Sequence, residues 1–261
     1  MALLTVFIFG AIVGSFFNVV LLRKNTGESM VYGPSRCFSC GKVLRFWEMV
    51  PILSFLALGG KCQYCGSKIS RQYPIVEVSG GIMGVLIYSK LLTSNFQLLT
   101  SFLFYFASFS ALFLISVYDF RNKIIDTHFL YLFGAFSILE VFYRAGQPTG
   151  QAGFFGDFIS SFFIALFFYL LWRLSGGVWM GRGDANLAFF ISLFLGFPKN
   201  IAMLFSAFWI GGVFGLALLA LGKKHNLKSE IPFGPFLALA TFLVWYFPEF
   251  FNELFVVIQL S

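Results

Sequence analysis

The chain has 261 residues, of which 59% are hydrophobic and only 11% charged, with a mean hydropathy of +0.85. Soluble domains carry about 25% charged residues, so the composition excludes a water-soluble globular protein and predicts an all-α polytopic membrane protein. The net charge of +7 is read as membrane topology and attraction to anionic headgroups, not as a nucleic-acid footprint.

A spanning helix needs about 20 apolar residues. By that rule the segments are 2–22, 74–92, 97–118, 127–144, 154–174, 184–198, 200–221 and 234–257, about eight transmembrane helices. The first run has no basic stretch ahead of it and Arg23-Lys24 behind it, an order that predicts a retained helix rather than a cleaved leader. The sixth is short, about 22 Å at 1.5 Å per residue, and is expected to pack as an incomplete span. With the N-terminus outside, 15 of the 18 basic residues fall in inside loops, leaving Lys90, Arg144 and Lys199 outside. That split places the polar loop 23–73 on the cytosolic side. The chain thus divides into a first helix, 1–22, a cytosolic lobe, 23–73, and a membrane-embedded remainder, 74–261. The 39 phenylalanines are expected to be lipid-facing bulk.

All four cysteines lie in the loop, as Cys37-x-x-Cys40 and Cys62-x-x-Cys65, each pair followed by glycine. Two such knuckles aim four thiolates at one tetrahedral point, the pattern of a structural zinc site with no open ligand position. Disulfides are disfavoured in a reducing compartment, and a redox dithiol needs one pair rather than two. A bound zinc would supply folding energy that a loop of this size cannot draw from its own core. The apolar stretch from Trp47 to Phe55 is too short to span and is expected to pack the lobe onto the membrane surface.

Two aspartates stand where hydrocarbon makes them costly. Asp119 ends the run from Phe102 to Tyr118, and Asp184 opens the next inside Gly181-Arg182-Gly183-Asp184. The glycines lack Cβ atoms and allow an extended substrate or another backbone to come close. Two carboxylates facing each other in a dry cleft cannot both ionise cheaply and share one proton. One can then deprotonate water while the other protonates a scissile carbonyl. The plainer alternative is that each caps a helix or pairs with Arg121 or Arg182. Asp126 competes with Asp119, because on a continuous helix the two would share a face about 10 Å apart. The two histidines, His128 and His225, are isolated, and no His-Glu-x-x-His, Gly-x-Ser-x-Gly or P-loop occurs.

These residues resemble the type IV prepilin leader peptidases, Gly-x-Gly-Asp intramembrane aspartyl proteases, over nearly the whole chain. The resemblance is carried by Gly14-Ser15-Phe16-Phe17-Asn18, the two cysteine knuckles, Ser70-Arg71-Gln72-Tyr73-Pro74 with Glu77, Gly181-Arg182-Gly183-Asp184 and Ile231-Pro232-Phe233-Gly234-Pro235-Phe236. It implies Asp119 and Asp184 as the catalytic pair. It also implies, as substrates, type IV prepilins and pseudopilins of pilus and type II secretion systems, cleaved behind a short basic leader at the cytosolic face of the bacterial inner membrane. Members with the cysteine loop are often bifunctional and N-methylate the new amino terminus from S-adenosylmethionine. The sequence has no Gly-rich Rossmann-type turn for that cofactor.

The chain departs from the family pattern at Asn186, where lysine is common, and at Ile125, where proline is common. Asn186 removes a positive charge that would have tuned Asp184. Other classes weighed against the peptidase are a peptidase without methyltransferase activity, an ion or proton carrier using paired aspartates, and a membrane scaffold docking a partner through its zinc lobe. A carrier is expected to show midplane carboxylates and inverted repeats, and the sequence shows no repeat.

Overall fold

The computed structural model of the chain describes residues 1–24, 26–92, 98–146, 154–220 and 232–251. Among them every regular element is helical: α1 (Ala2–Arg23), a 3-10 turn at Phe46–Met49, α2 (Leu53–Ala57), α3 (Gln72–Leu92), α4 (Leu98–Asn122), α5 (Thr127–Ala145), α6 (Phe154–Leu174), α7 (Arg182–Leu195), α8 (Lys199–Ala220) and α9 (Gly234–Tyr246). The eight longer helices fall where apolar runs predict them. Among the described residues five helices, α1, α3, α4, α6 and α8, are long and apolar enough to cross a membrane. The chain is a multi-pass membrane protein.

The boundaries differ from the sequence reading in two instructive places. α4 runs on to Asn122, so Asp119 lies inside its last turn rather than beyond its end. Lys123, at φ 56°, then breaks the helix, and Asp119 and Asp126 share no continuous helical face. α9 ends at Tyr246, before Phe247-Pro248, because a proline disfavours helical backbone in the residue ahead of it. Residue 97, residue 221, residues 252–257, Lys223, Lys224, His225, Lys228 and Ile231 lie outside the described residues.

The chain forms two compact units, Met1–Phe106 and Ala107–Ser261, with the boundary inside α4. In the first, α1 packs on α3 along a seam of glycines. A Cβ on Gly14 would stand 2.7 Å from the Val76 carbonyl oxygen, and Gly10 and Gly80 meet backbone to backbone. In lipid, where apolar burial gives no helix-pairing force, such small residues let backbones approach and gain packing energy. At one end of the seam the fully buried Asn18 donates to the Tyr73 carbonyl at 3.2 Å and accepts from Gln72 at 3.4 Å.

In the second unit α7 is the central helix, touching α5, α6, α8 and α9. Nine of its 14 residues are buried, so its apolar character serves a protein interior and it has no need to reach both faces of the bilayer. Gly196, at φ 71°, ends it. The Arg144 guanidinium donates to the Leu193 carbonyl in the last turn and pairs with Asp157 at 3.1 Å. Asp157 in turn accepts the Phe197 N–H at 2.8 Å. This ion pair therefore closes the C-terminal end of α7. Phenylalanines divide between the two solvents: Phe155, Phe162 and Phe163 on α6 are exposed to the surroundings, whereas Phe133 and Phe168 are fully buried.

Candidate active site and metal centre

The two aspartates singled out from the sequence both lie in the second unit, and both are nearly buried, Asp119 at 4% and Asp184 at 7% exposure. Asp184 is the third residue of α7. Its Oδ2 accepts the Gly181 N–H at 2.9 Å, the half of a capping box that an acidic side chain supplies in the first turn. Asp119 reaches out of the last turn of α4, and its Oδ2 accepts the Gly234 N–H at 3.1 Å. Gly234 opens α9 and is followed at once by Pro235, a residue suited to a first helical turn because it has no N–H to satisfy.

Helix starts thus hold both carboxylates through one oxygen each, where exposed N–H groups and the helix dipole favour negative charge. Among the described residues the second oxygen of each accepts no hydrogen bond. The capping role weighed against catalysis is present in the geometry, and it coexists with a free oxygen on each side. Asp184 lies close enough to Asp119 to feel its charge. Two glycines make the approach possible. A Cβ on Gly183 would stand 3.0 Å from Ile125, and one on Gly234 would stand 2.6 Å from Asp119 Oδ2. Ile125, read as a departure from the family pattern, is thus the side chain against which Gly183 packs.

Asp126 has a different position. It is the N-cap of α5, accepting the N–H groups of His128 at 3.0 Å and Phe129 at 3.4 Å. His128 lies beside it on the surface, 83% exposed. Gly234 stands inside the motif Ile231 to Phe236, where nothing local to the sequence gives it a task. The Gly-Pro pair at the head of an apolar run was the available signal of a helix start aimed at something.

The four cysteines converge in the first unit, all four sulfurs within 4.8 Å of one another. The two knuckles are built alike. In each the first cysteine N–H donates five residues on, Cys37 to Lys42 and Cys62 to Ser67, both at 2.9 Å. The glycine after each second cysteine takes positive φ, 70° at Gly41 and 69° at Gly66, which closes the turn at little cost. Four sulfurs around zinc lie about 3.8 Å apart for bonds of about 2.3 Å, and Cys37 and Cys65 stand at 3.9 Å. The set fits a tetrahedral metal ion.

The local field favours the thiolate at two of the four positions. The backbone N–H groups of Cys40 and Ser39 lower Cys37 to about 6, and the Ser67 hydroxyl lowers Cys65. The Lys42 N–H also pulls on Cys40, but desolvation and its neighbours Cys37 and Cys65 push it up to about 11. A cation would relieve that mutual repulsion, because metal-bound thiols are deprotonated.

Known proteins match the chain in two stretches. Residues 8–91 match the bacterial peptidase A24 N-terminal domain and residues 106–216 the type IV leader peptidase family. A Bacillus subtilis protein named prepilin leader peptidase/N-methyltransferase is 30% identical over 251 residues, covering 93% of each chain. A Myxococcus xanthus protein of the same name is 30% identical over 86% of this chain, which spans 65% of that protein's length. One from Pseudomonas aeruginosa is 26% identical over 90% of this chain and 88% of its own. No solved structure matches at a significant level. With two nearly buried aspartates in one unit, a four-cysteine lobe in the other and both family regions matched in order, the chain belongs to the type IV leader peptidase family.

Proposed function

We propose that this protein is a membrane-embedded aspartyl peptidase that removes the short basic leader from type IV prepilins and pseudopilins, with Asp119 and Asp184 as its catalytic pair. One observation carries the assignment: two nearly buried carboxylates, each held by a backbone N–H through one oxygen, lie within electrostatic reach of each other. The ionised member takes a proton from water as the water oxygen attacks the scissile carbonyl carbon. The protonated member gives its proton to the carbonyl oxygen. The tetrahedral adduct then collapses, the C–N bond breaks, and a proton passes to the leaving amine, so no covalent enzyme intermediate forms. Gly181 and Gly183 serve the pair itself, Gly181 by donating its N–H to Asp184 and Gly183 by letting the start of α7 pack against Ile125.

The basic-residue distribution supports placing this chemistry and the loop 23–73 at the cytosolic face, with 1–22 as the first helix and 74–261 as the peptidase region. Cys37, Cys40, Cys62 and Cys65 are proposed to hold one structural zinc. The shared name of the relatives supports a second activity, N-methylation of the new amino terminus, for which S-adenosylmethionine would supply the methyl group.

The deciding experiment incubates the membrane-embedded protein with a prepilin and labelled S-adenosylmethionine, scoring leader loss and methyl incorporation separately. Asp119→Ala and Asp184→Ala are each expected to abolish leader cleavage while the protein still inserts. Normal cleavage by either variant would remove the mechanism.

A further inference from the structure

Between the two knuckles lies a stretch the peptidase chemistry does not use. The 3-10 turn Phe46–Met49 and the short helix α2 (Leu53–Ala57) contain no buried residue. Instead they present large apolar side chains outward: Phe46, Trp47, Leu53 and Leu56 are each 65–78% exposed. Left in water, such a patch invites association.

The backbone fixes where this patch sits. Ile52, between the two turns, has φ 64°, a left-handed conformation that is an outlier for a β-branched residue. It is held there by Glu77, whose Oε2 accepts the Ile52 N–H at 2.7 Å. Glu77 is buried within α3, five residues past the helix start, about 8 Å along the axis at 1.5 Å per residue. α3 is long enough to cross a bilayer. A group tied beside its first turns therefore lies at the depth of the headgroups, not in bulk water.

The charge pattern points to the same occupant. The loop 23–73 holds eight basic residues and two acidic ones, Glu28 and Glu48. Glu48 belongs to the exposed stretch but is folded back, accepting the Arg45 N–H at 2.6 Å with the Tyr64 hydroxyl at 3.5 Å. The outward apolar face is thus free of carboxylates, while Lys42, Arg45, Lys61 and Arg71 are exposed around the lobe. Aromatic side chains flanked by basic residues suit the boundary of an anionic leaflet.

We propose that residues 45–58 form an interfacial wedge that binds an anionic lipid surface, with Phe46, Trp47, Leu53 and Leu56 seated among the headgroups and Glu77 as the latch that sets its depth. The wedge anchors the cysteine lobe against the membrane and depends on the spanning of α3, not on the peptidase assignment.

The test uses the full chain in vesicles with Trp47 as the sole tryptophan, the other four replaced by phenylalanine. In phosphatidylglycerol vesicles carrying lipids brominated high on the acyl chain, Trp47 emission is expected to be blue-shifted and quenched at least twofold. Aqueous acrylamide is expected to quench it less than it quenches free tryptophan. Glu77→Leu is expected to lower the bromine quenching by half or more while the protein still inserts. Phosphatidylcholine vesicles are expected to give weaker quenching. Water-like emission with full acrylamide access and no bromine effect overturns the wedge. So does protection of Trp47 that appears only when a prepilin is added, which would make the patch a protein-docking surface.

Discussion

The main-chain N–H of Gly234 donates to Oδ2 of Asp119 across 115 positions of sequence, and a Cβ at Gly234 would stand 2.6 Å from that oxygen. Glycine is needed here for proximity, since the residue opens an ordinary α-helix. Gly234→Ala is therefore expected to displace the Asp119 carboxylate rather than unfold the protein. Leader cleavage should fall at least tenfold, a loss of about 1.4 kcal/mol or more of transition-state stabilisation. Prepilin cleavage rates set against a thermal melt in detergent check this, and an unchanged rate would show that the contact is dispensable.

The ion pair at the far end of α7 makes a different prediction. Arg144 and Asp157 are mostly buried, with side chains 19% and 6% exposed. Breaking such a pair from one side leaves an uncompensated charge, costing about 3–5 kcal/mol, whereas replacing both partners by apolar residues is often far milder. Arg144→Leu should thus lower the melting midpoint more than Arg144→Leu combined with Asp157→Leu. Equal losses would mean that the pair contributes nothing as a pair.

The glycine seam between α1 and α3 has no slack. Gly10→Val puts branched carbons into the backbone of Gly80, and overpacking of this kind costs on the order of 1–3 kcal/mol. A lowered midpoint and faster proteolysis of the loop 23–73 are expected. Gly212→Val, at a position with nothing within 4 Å of its Cβ, serves as the control and should leave both unchanged.

Protein purified without strong chelators is expected to carry about one zinc per chain, since the folding of such lobes is linked to metal binding. Cys62→Ser should remove the metal, and acid should release it as the thiols regain protons. Elemental analysis across a pH series measures both effects. Metal-free protein with four intact thiols and full activity would refute a structural zinc.

The sequence made some of this legible and hid the rest, for physical reasons. Long apolar runs announce their helices because a bilayer admits few other structures, and the cysteine knuckles announce their convergence because ligand spacing is local. Asp119 and Asp184 could be named because carboxylates beside apolar runs are rare. Their partners could not, since Gly234 acts through its N–H, which every residue except proline possesses. The Arg144–Asp157 pair was missed for a related reason: its members look like loop-end charges until α5, α6 and α7 are folded together. Asp126 was ambiguous on a helical wheel until the break at Lys123 turned it into a cap.

The glycine seam also bears on how the protein is made. α1 is complete about fifty residues before its partner α3 begins, so for some seconds of synthesis, at roughly 5–20 residues per second, it must reside in the lipid unpaired. It carries no charged residue before Arg23, which makes that wait tolerable. Asn18, polar though uncharged, has its amide satisfied only when Gln72 and Tyr73 arrive. Nascent chains truncated before residue 72 should accordingly be the ones that membrane quality-control proteases recognise.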